Sequence, residues 1–312
     1  MKRPLIIDCD PGLDDAIALA MALQAPQLEV LAVTTSAGNQ TPEKTRSNAL
    51  RLLTLMGRND IPLAGGAAQP LILPLRIAEE VHGSTGMGHT QLPEATRQAD
   101  ARGALALMAE VLQASPEPVT LVVTGPMTNA ALLLRSYPQL ASRLAQIVFM
   151  GGGMNAGNAT PCAEFNILVD PHAAEIVMQS GVPLVMAGLH MTHQALVLPE
   201  EIERIRALAN PVAYAVAEML DFYLPIYLNG PNRLPGAAMH DPCTIAWLLA
   251  PQLFSSERYW VGVETQGRYT TGMTLVDRDR LTGRDANCEV LLTIDRPAFV
   301  ELLIAALRRY AA

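Results

Sequence analysis

The chain lacks the cysteine pairs on which a disulfide framework or a thiolate zinc site would rest. Cys9, Cys162, Cys243 and Cys288 stand far apart and form no Cys-x-x-Cys. They read as reduced, mostly buried thiols of a cytoplasmic protein. A surplus of positive charge is also missing. With 22 Lys and Arg against 30 Asp and Glu the net charge is −8, and the basic residues are scattered. Neither nucleic acid nor a membrane surface is therefore an expected partner. No apolar run is long enough to span a bilayer, although mean hydropathy is slightly positive. Met1-Lys2-Arg3-Pro4 leads straight into an apolar run without the h-region and cleavage site of a signal peptide. Internal repeats, low-complexity tracts and linkers are absent, so a single domain over residues 1–312 is expected.

Half of the 312 residues are hydrophobic, enough for one large core. Strand and helix signals alternate, which predicts an α/β domain with an open, mostly parallel sheet flanked by helices. The densest stretch comes first. Leu5-Ile6-Ile7 runs into Asp8-Cys9-Asp10-Pro11-Gly12-Leu13-Asp14-Asp15. The apolar run reads as a buried strand, Pro11-Gly12 as the turn that ends it, and Asp14-Asp15 as the opening of a helix whose dipole favours negative charge. Helix caps account for two of these acids and leave Asp8 and Asp10 without a reason. A hard cation held by carboxylate oxygens would account for all four.

Further strands are expected at Leu28 to Ser36, Ile61 to Ala64, Val119 to Val123, Ile147 to Met150, Pro183 to Met186 and Glu289 to Ile294. An antiparallel pair is expected from Arg258 to Glu264 and Tyr269 to Val276. Thr41-Pro42 and Asp170-Pro171 read as helix starts with a cap and a proline at the first helical position. From Ala67 to Asp100 the text is irregular, a long loop of the kind that serves as a lid. Gly151 to Asn158 comes close to a dinucleotide fingerprint. We reject that reading because Ala159-Thr160-Pro161 follows instead of a helix.

In open α/β sheets ligands sit at the carboxyl ends of the strands. Unusual polar groups stand there: the four acids, then Asn39, then Thr124, then the loop with Asn158, Glu164 and Asn166. Asp241, before Pro242 and beside His240, reads either as a helix cap or as a fifth acid of the site. A cation held by Asp10, Asp15, Asp241 and a strand-end carbonyl would be oxygen-ligated throughout, which suits calcium better than zinc. His82, in the long loop, and His240 are candidate functional groups. His89 reads as a solvated loop residue, His172 as structural, and His190 and His193 as an improbable zinc pair.

The Asp8-x-Asp10-Pro11-Gly12-x-Asp14-Asp15 motif resembles the signature of the inosine-uridine-preferring nucleoside hydrolases. The likeness extends through Ser36 to Asn39, Thr124 to Asn129, Met150 to Gly152, Glu164 to Asn166 and His240 to Pro242. Ala37 to Thr45 and the Val81-His82-Gly83 loop look most like the bacterial pyrimidine-specific ribonucleoside hydrolases. The resemblance implies hydrolysis of the N-glycosidic bond of a ribonucleoside, uridine or cytidine, in nucleoside salvage. It implies calcium held by Asp10, Asp15, Asp241 and the Thr124 main-chain oxygen, with Asp10 also the general base toward water. It places Asp14 and Asn166 on the ribose 2′- and 3′-hydroxyls, Glu164 and Asn158 on the 5′-hydroxyl, and Asn39 and Met150 beside the sugar. His82 and His240 would face the base, with His240 the candidate acid. A homo-oligomer, commonly a tetramer, is also implied.

Two departures stand out. His190 occupies a position where the family usually carries Asp, and Tyr223 to Ala238 diverges, so base preference stays open between pyrimidine, purine and broad specificity. Tyr223 and Tyr227 read equally as base contacts or as helix packing. A haloacid-dehalogenase-like phosphatase also opens on Asp-x-Asp but carries Thr where Gly12 stands. A calcium-dependent nucleoside-binding protein would keep the site without turnover; the intact Asp10 argues against it.

Overall fold

The computed structural model describes residues 2–154 and 157–311. Its strands are β1 (Arg3–Cys9), β2 (Leu28–Thr35), β3 (Leu63–Gly65), β4 (Val119–Val123), β5 (Leu144–Met150) and β6 (Leu184–Ala187), then β7 (Leu196–Val197), β8 (Ala237–Ala238), β9 (Phe254–Tyr259), β10 (Val261–Val263), β11 (Thr274–Val276) and β12 (Cys288–Ile294). Eight of them form one sheet in the order β3-β2-β1-β4-β5-β6-β12-β9. Every neighbouring pair is parallel except β9 with β12. This is the α/β architecture the alternating pattern predicts. The chain steps outward from β1 to β2 and β3 on one side, and through β4, β5 and β6 on the other. A crevice opens where that direction reverses, beyond the ends of β1 and β4.

Both faces of the sheet are covered. Leu5, Ile7 and Cys9 of β1 belong to one core; Ile6 belongs to the other, with Leu121, Val123, Ile147 and Phe149. The two-residue period of a strand makes this division. On the first face lies the helix Leu13–Leu23, every residue of it buried. Apart from Asp14 and Asp15 its side chains are apolar all round, so it needs partners on all sides. The sheet and the helices Pro211–Asn229, Pro242–Leu249 and Arg296–Leu307 supply them.

Three local expectations need correcting. The antiparallel pair after Arg258 is shorter than the sequence suggests. Arg258 and Tyr259 finish β9 at the edge of the main sheet, Trp260 interrupts, and only Val261–Val263 pairs with Thr274–Val276. Residues 268–272 form a turn, not a strand. Thr41 stands at the N-cap of the helix Pro42–Leu55, but its side chain makes no cap bond. The stretch from Ala67 to Asp100 is irregular as expected, yet tied down. Gln40 Nε2 donates to the Gly83 carbonyl at 3.0 Å, Lys44 Nζ to Ser84 at 2.7 Å and Asn48 Nδ2 to Thr85 at 2.9 Å. It holds one short helix, Glu79–His82. Cys9, Cys243 and Cys288 are buried, Cys162 is half-buried, and all four are free thiols. Among the described residues no helix is long and apolar enough to cross a membrane.

Asp170 exceeds the capping role its sequence context predicts. Its carboxylate accepts from Ala173 N at 3.0 Å, as a cap should, and also from Thr128 Oγ1 at 2.7 Å and Leu71 N at 2.9 Å. It thereby joins two helix starts and the long loop at a fully buried point. Removing the carboxylate strands three buried donors. Asp170→Ala is expected to lower stability by about 3 kcal/mol, more than loss of a simple cap. Urea unfolding at fixed protein concentration measures it, and a loss comparable to an exposed cap would contradict the reading.

Candidate active site

β1 delivers Asp10 to the crevice, and the buried helix that follows delivers Asp14 and Asp15. Asp15 is held from four sides. Asp10 N donates to its carboxylate at 3.3 Å, Gly12 N at 3.0 Å, Asn39 Nδ2 at 3.0 Å and Thr124 Oγ1 at 2.7 Å. The ends of β1, β2 and β4 are thus fastened to one side chain. Asp10 Oδ2 accepts from Asn39 N at 2.7 Å, while Oδ1 is buried without a partner. Asp10 fits only because Gly38 and Gly125 flank it; a Cβ at either position would collide with its carboxylate. Asp241, at the start of the helix Pro242–Leu249, closes the group. Its N–H lies 3.4 Å from Asp14 Oδ2. Asp14, Asp15 and Asp241 bring carboxylate oxygens within 4.8 Å of one another.

Asp8 does not join them. It shares the face of Ile6, away from the helix Leu13–Leu23, and its Oδ1 accepts from Thr34 Oγ1 at 2.7 Å and Asn129 Nδ2 at 2.8 Å. The expectation that one cation accounts for all four N-terminal acids is corrected in this respect. The side-chain period of the strand sets Asp8 on the face of Ile6, while Asp10 follows the last strand residue, Cys9, and is free of that period.

A cleft of about 490 Å³ lies beside the carboxylates, within the usual size of small-molecule sites. Asp14, Asn39, His82, Thr124, Met150, Asn158, Glu164, Asn166, His240 and Asp241 all line it. Asp10 and Asp15 stand just behind this surface. Glu164 caps the helix Phe165–Val169, accepting from Asn166 N, Ile167 N and Gly152 N at 2.9, 3.1 and 3.0 Å. Asn158 Oδ1 accepts from Phe165 N at 2.9 Å. Asn166 Nδ2 donates to the Thr124 carbonyl at 2.7 Å and the Met150 carbonyl at 3.2 Å. The carboxyl ends of β4 and β5 are bridged in this way. No helix begins in the described part of the glycine-rich stretch until Phe165; Asn155 and Ala156 lie outside the described residues.

The opposite wall carries rings. His82 Nδ1 accepts from Leu13 N at 3.1 Å, which pins the long loop to the start of the buried helix. His240 touches Thr192 Oγ1 at 2.7 Å through Nδ1 and the Tyr227 hydroxyl at 2.8 Å through Nε2. Burial pushes both imidazoles down to about 3, so both are neutral at ordinary pH. Tyr223 and Tyr227 meet edge to face at 4.9 Å. Both line the cleft, so they are wall residues as well as packing. His190 Nε2 lies 2.8 Å from the Leu291 carbonyl and His193 faces the cleft, so the two do not share a metal position. Thr192 and Ile226 go unmarked in the sequence reading, and His193 reads there only as half of a zinc pair. The His-Met-Thr-His run was the only signal, and the fold rather than the spacing turns Thr192 toward His240.

The carboxylates are strongly perturbed. Burial, then the charge of Asp15, pushes Asp10 well up; burial, then Asp14, does the same to Asp241; burial, then Asp15, raises Asp14. Among the described residues no Lys or Arg forms an ion pair with any of them. Buried acids with no positive partner, one orphaned oxygen and no nitrogen or sulfur donors fit a hard divalent cation.

The family model for inosine-uridine preferring nucleoside hydrolases matches residues 5–301. This chain belongs to that family. It is 56% identical over 312 residues to the pyrimidine-specific ribonucleoside hydrolase RihA of Citrobacter koseri, with all of both chains covered. It is 57% identical over 311 residues to RihA of Escherichia coli K12, again with full coverage of both. Among solved structures, a purine-preferring ribonucleoside hydrolase from Gardnerella vaginalis superposes with a TM-score of 0.92 at 30% identity, covering 98% of each chain. A plant nucleoside hydrolase, PpNRh1, gives 0.92 at 30% identity with 99% of each covered. The protein is a nucleoside hydrolase with a single α/β domain.

The raised carboxyls carry a stability consequence. Glu164 is pushed up to about 7 and Asp8 to about 6, each chiefly by burial. A carboxyl raised by folding is still protonated in the folded hydrolase where the unfolded chain is already ionised. Its contribution is present at low pH and is lost as pH climbs from about 4 through about 7. Protein stripped of divalent ions is therefore expected to melt at lower temperature as pH rises across that window. Differential scanning calorimetry checks this, and a melting temperature that rises with pH would contradict it.

Proposed function

We propose that this nucleoside hydrolase is a calcium-dependent hydrolase of pyrimidine ribonucleosides, releasing ribose and free uracil or cytosine. The observation that carries the chemistry is the buried carboxylate cluster opening into the cleft at the reversal point of the sheet. The base preference rests on the likeness, over the whole length, to hydrolases named pyrimidine-specific.

In this reading Asp10, Asp15, Asp241 and the Thr124 carbonyl hold the ion. When bound, calcium would supply positive charge that makes a water more acidic. Asp10 Oδ1, the oxygen without a partner, accepts the proton of the attacking water. Asp14 and Asn166 hold the 2′- and 3′-hydroxyls. Glu164 and Asn158 take the 5′-hydroxyl, and their backbone bonds fix both side chains before substrate arrives. Asn39 and Met150 border the sugar. As the glycosidic bond breaks, positive charge builds on the sugar and the surrounding carboxylates stabilise it. Negative charge builds on the departing base, which faces His82, His240 and the tyrosines. A neutral His82 whose Nδ1 already accepts from Leu13 carries its hydrogen on Nε2, a donor suited to a pyrimidine carbonyl. The family relationship also supports a homo-oligomer, a tetramer by analogy.

A reducing-sugar assay against uridine, cytidine, inosine and 2′-deoxyuridine tests the reading. Uridine and cytidine are expected to be cleaved fastest. The deoxy analogue is expected to fall behind by about 10⁴, because its missing hydroxyl leaves buried polar groups unpaired. Asp10→Ala is expected to lose at least about 10³ of the rate. Faster cleavage of inosine would move the protein to the purine-preferring class. Wild-type rates in a folded Asp10→Ala protein would remove Asp10 from both of its roles.

A further inference from the structure

A neutral imidazole carries one N–H, and its hydrogen-bond partners decide which nitrogen holds it. Each nitrogen of His240 has a hydroxyl partner: Thr192 Oγ1 at 2.7 Å from Nδ1, and the Tyr227 oxygen at 2.8 Å from Nε2. A hydroxyl can donate or accept, so these two bonds can run in either direction. The surroundings of Thr192 choose between them. Thr192 ends the one-turn helix Leu189–Thr192 after β6 and is fully buried. Among the described residues its hydroxyl has no hydrogen-bond partner other than His240 Nδ1. If it merely accepted, its own hydrogen would be buried and unpaired, at the full desolvation cost of that group. Tyr227 differs. It lines the cleft, so its hydrogen can point into the site.

We propose that Thr192 is a positioning residue for hydrolysis. Its hydroxyl donates to His240 Nδ1 and holds the ring with the hydrogen on Nε2. Nε2–H then donates to the Tyr227 oxygen, which turns the Tyr227 hydrogen toward the leaving base. The chain of donors runs outward from the buried Thr192 to the cleft. The opposite polarity would aim the Tyr227 hydrogen back at His240 and present a lone pair to the base. The base departs with the electron pair of the N-glycosidic bond, so a donor stabilises it and a lone pair opposes it. No proton has to leave the ring for this; the hydrogen bonds only strengthen as charge develops. The inference rests on the reading of the cleft as a ribonucleoside site with the base against His240 and Tyr227.

Two measurements test it. Nitrogen-15 NMR of histidine-labelled wild-type protein reads the tautomer directly, with the His240 signals identified by their loss in His240→Gln. A pyridine-type Nδ1 and a pyrrole-type Nε2 are expected; the reverse assignment would overturn the proposal whatever the turnover. Kinetics supply the second readout. Thr192→Val keeps the shape and removes the hydroxyl. Its kcat for uridine is expected to fall about tenfold or more, with KM little changed. Its kcat for 4-nitrophenyl β-D-ribofuranoside, whose phenolate departs without help from a donor, should stay near the wild-type value. Thr192→Ser should restore the uridine rate. Equal losses on both substrates would make Thr192 a packing residue, and unchanged rates on both would also overturn the proposal. If Thr192→Val fails to fold, the wild-type tautomer and the serine variant decide. Absence of ribose release from the wild-type protein would overturn the hydrolytic reading and this role with it. Ribose release with the reverse tautomer would overturn this role alone.

Discussion

Asp10, Asp14, Asp15 and Asp241 are buried within one small volume, where like charges repel far more strongly than in water. The protein meets that repulsion in two ways. Around Asp15 it gathers donors from β1, from the turn after it, and from the residues beyond β2 and β4. The remaining carboxylates receive fewer donors and hold their protons too tightly for ordinary acids. A divalent cation would relieve the strain among them, and the binding energy so released is coupled to the stability of the fold. Much else answers to this demand. The glycines beside Asp10 make room for its carboxylate, and the wholly buried helix after β1 keeps Asp14 and Asp15 from solvent.

The topology explains why so few elements suffice. β1 lies between β2 and β4, so the chain leaves it in opposite directions on its two sides. The carboxyl ends of adjacent strands then face one crevice, and each contributes a short polar loop. The more distant walls come from the long loop holding His82 and from the helix Pro211–Asn229 with its tyrosines. Under the proposed function, the sugar end of the cleft is built on strand ends bridged by Asn166 and Glu164, and the base end is the part opposite. The base end is built on a loop and a helix terminus. On that proposal, this division would place the chemistry on the rigid part and base discrimination on the part that tolerates change.

Much of this was legible in the sequence, for local reasons. An apolar run broken by Pro11-Gly12 and followed by Asp14-Asp15 can hardly be anything but a strand, a turn and a helix. Polar groups placed after successive strands converge once the sheet is parallel. Asp8 is misleading because the strand holds it on the face of Ile6, where Thr34 and Asn129 take it, whereas Asp10 lies beyond the last strand residue and turns into the crevice. The pair after Arg258 reads longer than it is because Trp260 continues the β-favouring composition while breaking the ladder. Thr192 was out of reach altogether. Its partner lies 48 positions away, and nothing in His-Met-Thr-His signals a hydroxyl aimed at another histidine.

The most direct test of the central claim is calorimetric titration of calcium into metal-stripped protein, with uridine hydrolysis assayed at every point. The account predicts a single class of tight sites and activity that rises in proportion to occupancy. Full hydrolytic activity in the metal-stripped protein, unchanged as calcium is added, would contradict it.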